Sequence, residues 1–275
     1  MADVFTFVHE QFPGVQLESE IQGWAFLERF SEGISAYSAI PSPSPKDERW
    51  AGVCYFQLLQ DLDALEVLYR SANRGEAGAH VYLAHVLPFV DRGEEAREEL
   101  EKVTFDDLSE YDKALYYRIL SIREESNGNL REAQKAAEEA WKRIQGIPEY
   151  NLLAPSILAQ LAVLHGRIGR SQRALWFLER GLVATDGSER LKIQVRRAAV
   201  LVNLGRYREA QIELESFDLA KAPERFQSER NWLLGEIALA NGSLVSAVQH
   251  YTQAMNLATE LQFNYEEFLC RLPLV

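Results

Sequence analysis

Six times along the chain a small residue is followed twelve positions later by an alanine: Gly52/Ala64, Ala84/Ala96, Ser121/Ala133, Ala162/Ala174, Ala198/Ala210 and Gly235/Ala247. The alanines recur every 32 to 41 residues. Self-similarity at such a period marks a stacked repeat array, in which each unit buries its apolar face only against its neighbours. Arrays of this kind build extended surfaces rather than reactive centres, so the period bears on function as well as on fold.

Around each alanine the pattern is that of a helical hairpin. In 117–140, Leu120 and Ser121 lie within one amphipathic stretch, and Asn127-Gly128-Asn129 interrupts it with residues that tolerate the left-handed backbone of a helix end. Leu130, Ala133, Ala137 and Ala140 then form one helical stripe. Slim residues on both helices let the two backbones approach closely, where larger side chains would force them apart. Glycine stands five residues before alanine at Gly128, Gly169, Gly205 and Gly242. The second unit has Gly93 only three before Ala96, and the first has Leu59-Gln60-Asp61 at its turn, so these two turns are expected to be less regular.

The spacing predicts helix pairs at 46–58 with 61–74, 78–90 with 94–103, 110–127 with 130–145, 154–168 with 171–185, 189–204 with 207–219, and 224–241 with 244–262. Ser44 ahead of Asp47, and Ser109 three before Asp112, read as capped N-termini. Pro155 and Pro223 suit first-turn positions, while Pro88 should end or kink its helix.

These residues resemble the tetratricopeptide repeat family. Its leucine-plus-small pair stands here as Leu83-Ala84, Leu120-Ser121, Leu161-Ala162 and Leu234-Gly235, and its bulky residue four after the alanine as Leu68, Leu100, Leu178, Leu214 or Tyr251. The second alanine survives as Ala140 and Ala254 but is Gly181 and Phe217 elsewhere; Arg197 and Ala51 replace the leucine in the fifth and first units. The resemblance implies an all-α, right-handed superhelical solenoid of about six helix-turn-helix repeats, with the first helix of each unit lining a concave face. Residues 1–40, with Ile21, Trp24 and Leu27 on one helical face, are expected to form an N-terminal helical cap. A Pro/Ser linker at 41–45 and the repeat array at 46–262 follow. Residues 263–275 are expected to form a capping helix through Phe263, Tyr265, Phe268 and Leu269. This end is less polar than a finished cap, which fits a chain that continues or dimerises there.

Counted from the small residue, the concave set is Arg49, Val53 and Phe56; Val81, His85 and Pro88; Arg118, Ile122 and Glu125; Ala159, Val163 and Gly166; Val195, Ala199 and Val202; and Trp232, Glu236 and Leu239. Val53, Phe56, Val81, His85, Ile122, Val163, Val195, Ala199, Trp232 and Glu236 are the candidate groove contacts. An apolar concave surface of this kind suits a partner helix or an extended peptide. Between 165 and 208, ten basic residues face only three acidic ones in a chain of net charge −12. Arg167, Arg170, Lys192, Arg196 and Arg197 therefore make a candidate basic patch in repeats four and five, drawing acidic partners.

The overall negative charge disfavours nucleic acid and anionic membranes. No apolar run reaches the length of a membrane span, the N-terminus lacks a signal-peptide pattern, and Cys54 and Cys270 read as helix-buried thiols, so the expected compartment is the cytoplasm. No HExxH, CxxC, GxxxxGK, GxSxG or GxGxxG pattern occurs, and neither an enzyme, a metal nor a cofactor is expected. The leading expectation is a non-catalytic adaptor or regulatory module that binds a protein or peptide of apolar and acidic character. The alternatives are a ligand- or peptide-sensing domain of a larger, bacterial-type regulator and a self-associating, homodimeric scaffold.

Overall fold

A computed structural model describes residues 4–11, 15–58, 60–145, 147, 150–183, 187–216 and 224–260. All regular structure among these residues is helical. In chain order the α-helices are α1 (Val4–Gln11), α2 (Glu20–Phe26), α3 (Phe30–Ala39), α4 (Pro45–Gln57), α5 (Asp61–Asn73), α6 (Ala77–Val86), α7 (Gly93–Glu101) and α8 (Glu110–Ser126). They continue as α9 (Leu130–Ile144), α10 (Tyr150–Arg167), α11 (Ser171–Val183), α12 (Gly187–Asn203), α13 (Tyr207–Glu215), α14 (Glu224–Ala240) and α15 (Leu244–Glu260). The chain divides into two compact units, one of Met1–Glu124 with Lys135–Leu153 and one of Glu125–Gln134 with Ala154–Val275.

In the first unit, α4 packs on α5, α5 on α6 and α6 on α7, while α2 and α3 pack against each other and against α4. The reason is visible at Gly52. A β-carbon there would lie 2.5 Å from Cγ of Leu68, the bulky residue four after Ala64, so the leucine occupies the place a side chain would take. Ala64, Leu68 and Ala84 are each at most 1% exposed. In the second unit, α11 packs on α12, α12 on α13 and α14 on α15. The arrangement recurs there: a β-carbon on Gly235 would meet the Tyr251 ring at 2.6 Å, and one on Gly181 would meet Cδ1 of Ile193 at 2.6 Å. All six alanines of the repeat are buried. Ala133, Ala137, Ala140 and Ile144 are fully buried along α9.

The turns follow from backbone chemistry. Gly128, Gly169, Gly205 and Gly242 all have φ between 70° and 79°, the left-handed region that closes a helix. At three of them the following N–H reaches back five residues, as in Arg206 N–H to Leu201 O at 2.9 Å. In the second repeat Asp91 takes the left-handed role at φ 61°. Pro88 acts as expected: α6 stops at Val86 and a 3-10 turn, Leu87–Val90, follows. Ser44 forms a reciprocal capping box with Asp47, and Ser109 Oγ accepts from the Asp112 N–H at 3.1 Å.

Pro155 differs from expectation. Helix α10 begins at Tyr150, so Pro155 sits in its second turn rather than its first. Its missing N–H therefore removes one bond from the ladder. Pro223 lies outside the described residues, as do Cys270 and the segment 261–275. Cys54 is a buried free thiol, and burial pushes its pKa up to about 12. The 41–45 segment is tied to α5, with the Pro45 carbonyl accepting from Ser71 Oγ at 2.6 Å and the Pro43 carbonyl from Arg74 Nη1 at 2.9 Å.

Close approach at Gly52 makes a sharp expectation. Gly52→Ala adds a methyl into Leu68 and should destabilise the protein by about 1–3 kcal/mol in urea unfolding, despite the better helix propensity of alanine. Adding Leu68→Ala to that variant should cost less than Leu68→Ala costs in the parent, because the new methyl then fills part of the cavity.

Candidate protein-binding surfaces

Helix α4 presents Arg49, Val53 and Phe56 along one face at i, i+4 and i+7, and the two ends of that face meet different environments. At its N-terminal end Arg49 is only 2% exposed. Its guanidinium reaches Asp112 Oδ2 of α8 at 2.8 Å, Glu18 Oε2 before α2 at 2.7 Å and Glu76 Oε1 at the start of α6 at 3.3 Å. Gly78 on α6 makes room for it, since a β-carbon there would collide with Arg49 Nη1. Burial alone would lower the Arg49 pKa, but Asp112, Glu76 and Glu18 together hold it above the ordinary arginine value. Burial would likewise raise the Glu18 carboxyl, and the fields of Arg49 and Lys46 outweigh it and leave that pKa lowered. Arg49, placed on the concave set from its spacing, is thus a buried clamp joining three elements of the first unit.

At the other end of the face the chain is open. The Phe56 ring stands 5.0 Å from His85 and 5.2 Å from Phe89, and His85 stands 5.9 Å from Phe89, all edge to face. This is the geometry aromatic quadrupoles favour. Phe56 and His85 are half-buried and Phe89 is 38% exposed. Phe89 was not in the set read from spacing, which chose Pro88. Phe89 follows His85 by four residues, the spacing at which residues on one helix face meet, and Pro88 is left on the surface.

The other spacing-derived positions divide by burial. Val53, Val81, Val195 and Ala199 lie in the core, at most 3% exposed, and offer a partner no surface of their own. In the first unit Ile122 is exposed and Arg118 half-buried. In the second unit Glu125, Ala159, Val163, Gly166, Val202, Trp232 and Glu236 are half-buried, and Leu239 is exposed. Tyr251 donates to Glu236 at 2.5 Å.

The basic positions are unequal. Arg167 pairs with Glu125 at 3.2 Å, and Arg197 pairs with Glu213 through a short contact. Arg170 is exposed, Arg196 is half-buried, and the side chain of Lys192 lies outside the described residues. Arg167 and Arg197 thus each have a carboxylate of their own unit against them. Among the described residues no helix is long and apolar enough to cross a membrane, and no group of three or more metal-ligating side chains converges.

The helical hairpins, their glycine turns and their small-residue contacts are those of the tetratricopeptide-repeat fold, and solved structures share it. One is a chain of the APC/C hetero-tetramer Cut9–Hcn1, 15% identical, with a TM-score of 0.68 over 92% of this chain and 48% of that one. A second is the human IFIT1 dimer with PPP-AAAA, at 13% identity and a TM-score of 0.64, covering 92% of this chain and 63% of that one. A third is the apo form of RapI, at 12% identity and a TM-score of 0.59, covering 95% of this chain and 98% of that one. The chain therefore spans about half the length of the Cut9–Hcn1 chain. At these identities the likeness is one of fold. No protein-family model and no curated protein matches the sequence.

Replacing Arg49 by methionine leaves Asp112 buried without its cation and should cost about 3–5 kcal/mol at pH 7, read from urea midpoints. A carboxyl whose folded pKa is lowered, as at Glu18, contributes stability above its unfolded pKa and loses it as pH falls through the folded value. The gap between parent and Arg49→Met should therefore narrow on acidification below the ordinary carboxylate range.

Proposed function

We propose that this protein is a non-catalytic adaptor that holds a peptide or protein segment against the open end of the α4 and α6 faces. The observation that carries this reading is the cluster of Phe56, His85 and Phe89, three rings in mutual edge contact and part-exposed in a region whose floor, Val53 and Val81, is fully packed. Rings held by their neighbours lose little freedom when a partner covers them, which is why rigid aromatic anchors dominate binding energy. The partner's chemistry follows from the lining: an aliphatic or aromatic side chain would seat among the rings.

In the second unit the half-buried Val163 and Trp232 offer further apolar contact, and exposed Arg170 gives an acidic residue of the partner something to pair with. Arg167 and Arg197 remain about a quarter to a third exposed beside Glu125 and Glu213, so a partner carboxylate would compete with those glutamates rather than meet bare cations. The tetratricopeptide-repeat fold, whose first helices line a binding face in the family this sequence resembles, supports the same reading.

Selection of a random peptide library on the intact protein should enrich sequences with an aromatic or branched aliphatic anchor. Phe56→Ala should weaken the selected peptide at least tenfold by fluorescence anisotropy, while far-UV circular dichroism and urea midpoint stay close to those of the parent. An unchanged affinity, or a library that yields no apolar anchor, would overturn the reading.

A further inference from the structure

The residue that follows the repeat alanine tracks its surroundings. Leu65 and Leu175 are apolar and at most 5% exposed, on helices packed by α6 and α12. Arg97 and Gln211 hold the same place on α7 and α13, where they are exposed and polar. Val248, which follows Ala247 on α15, breaks that pattern: it is aliphatic and 64% exposed. Leu244 and Val245 beside it are 65% and 73% exposed. With exposed Thr252 these residues fill one arc of about 100° around the helix. The other side, carrying Ala247 and Ala254 at 2% exposed each, is the one that packs inward.

Charge is missing from the same helix. Helix α15 has no Lys, Arg, Asp or Glu before Glu260, in a chain where 25% of residues are charged. Its apolar arc is flanked by the exposed amides Gln249, Gln253 and Asn256. Thr252 Oγ1 already donates to the Val248 carbonyl at 2.8 Å, so covering this face orphans no hydroxyl there. An apolar centre with an uncharged rim is the composition of an interface rather than of a solvated helix.

We infer that this face of α15 is a contact between two copies of the chain, paired about a two-fold axis and separate from the Phe56–His85–Phe89 site. Three observations choose a second copy as the occupant. With a net charge of −12 the copies repel one another, and a face without charge is where they meet without setting like charges together. A side-chain amide both donates and accepts, so a rim of Gln249, Gln253 and Asn256 complements itself, which a rim of glutamates or of lysines would not. The arc is also balanced about Val248, with Leu244 four residues before it and Thr252 four after. Antiparallel pairing centred on Val248 lays each Leu244 over the opposing Thr252 and opposes the two helix dipoles. One stripe buries less than the roughly 800 Å² per partner of a stable interface, so this is a weak dimer that forms and dissolves with concentration.

The test is sedimentation velocity on the intact chain. The inference expects a monomer–dimer equilibrium across the micromolar to submillimolar range, tightening as salt rises and screens the repulsion between copies. Val248→Glu places like charges at the axis and should weaken association at least tenfold, and Val248→Ala several-fold. Both should leave far-UV circular dichroism and the urea midpoint unchanged, because Val248 is open in the monomer. Val248→Cys on a Cys270→Ser background should give a dimer band after treatment with a short bismaleimide. Ile212→Cys, at a position 60% exposed on α13, should not. Phe56→Ala should leave self-association unaltered, so failure here is distinguishable from failure at the first site. The inference is overturned if the chain sediments as a monomer at every concentration, the result expected if residues 261–275 or another protein cover α15 instead. It is equally overturned if Val248→Glu dimerises as the parent does, or if Val248→Cys fails to cross-link.

Discussion

Close approach of paired helices is the constraint on which the rest of the structure depends. At Gly52 and Gly235 the first helix of a repeat presents no side chain, and Leu68 and Tyr251 from the second helix fill that place. Where both partners are small but not glycine, as at Ala162 and Ala174, the same positions are essentially inaccessible to solvent. Because interiors pack at crystal density, an extra methyl at such a contact moves a helix rather than compressing a neighbour.

That geometry explains how one helix serves two roles. On α4 the N-terminal end of the outward face is closed by Arg49 and its three carboxylates, while the C-terminal end is left to Phe56. A buried cation with three acidic partners is a weak source of net stability but a strong source of specificity, since no other register of α4 against α6 and α8 would satisfy it. The clamp therefore fixes where Phe56 meets His85. On α15 the inner face packs against α14 and the outer face carries Leu244, Val245 and Val248, so packing and presentation again share a single element.

Much of the fold was legible beforehand. Helix ends fall within a few residues of those read from periodicity, because glycine turns and small-residue stripes are local signals repeated down the chain. Pro155 shows the margin: a proline that suits a first turn is also tolerated in a second when the surrounding helix is well packed. The candidate surface was legible only in part. Phe56 and His85 were named from spacing, whereas Phe89, four residues after His85, was passed over for Pro88, which lies on the surface. Val53, Val81, Val195 and Ala199 were counted outward and are buried, because spacing gives a direction from the helix axis and not what lies along it.

The sequence by itself determined the hairpins: side-chain size at a fixed interval says which helices pair, and glycine or its left-handed substitute says where they turn. Only the tertiary structure decided which faces remain available. Arg49 finds Glu18 and Asp112 at separations of 31 and 63 residues. No local pattern encodes that meeting, since it depends on where separate helices come to rest. Burial and charge pairing are properties of neighbours in space, and they sort a row of equivalent positions into clamp, core and open surface.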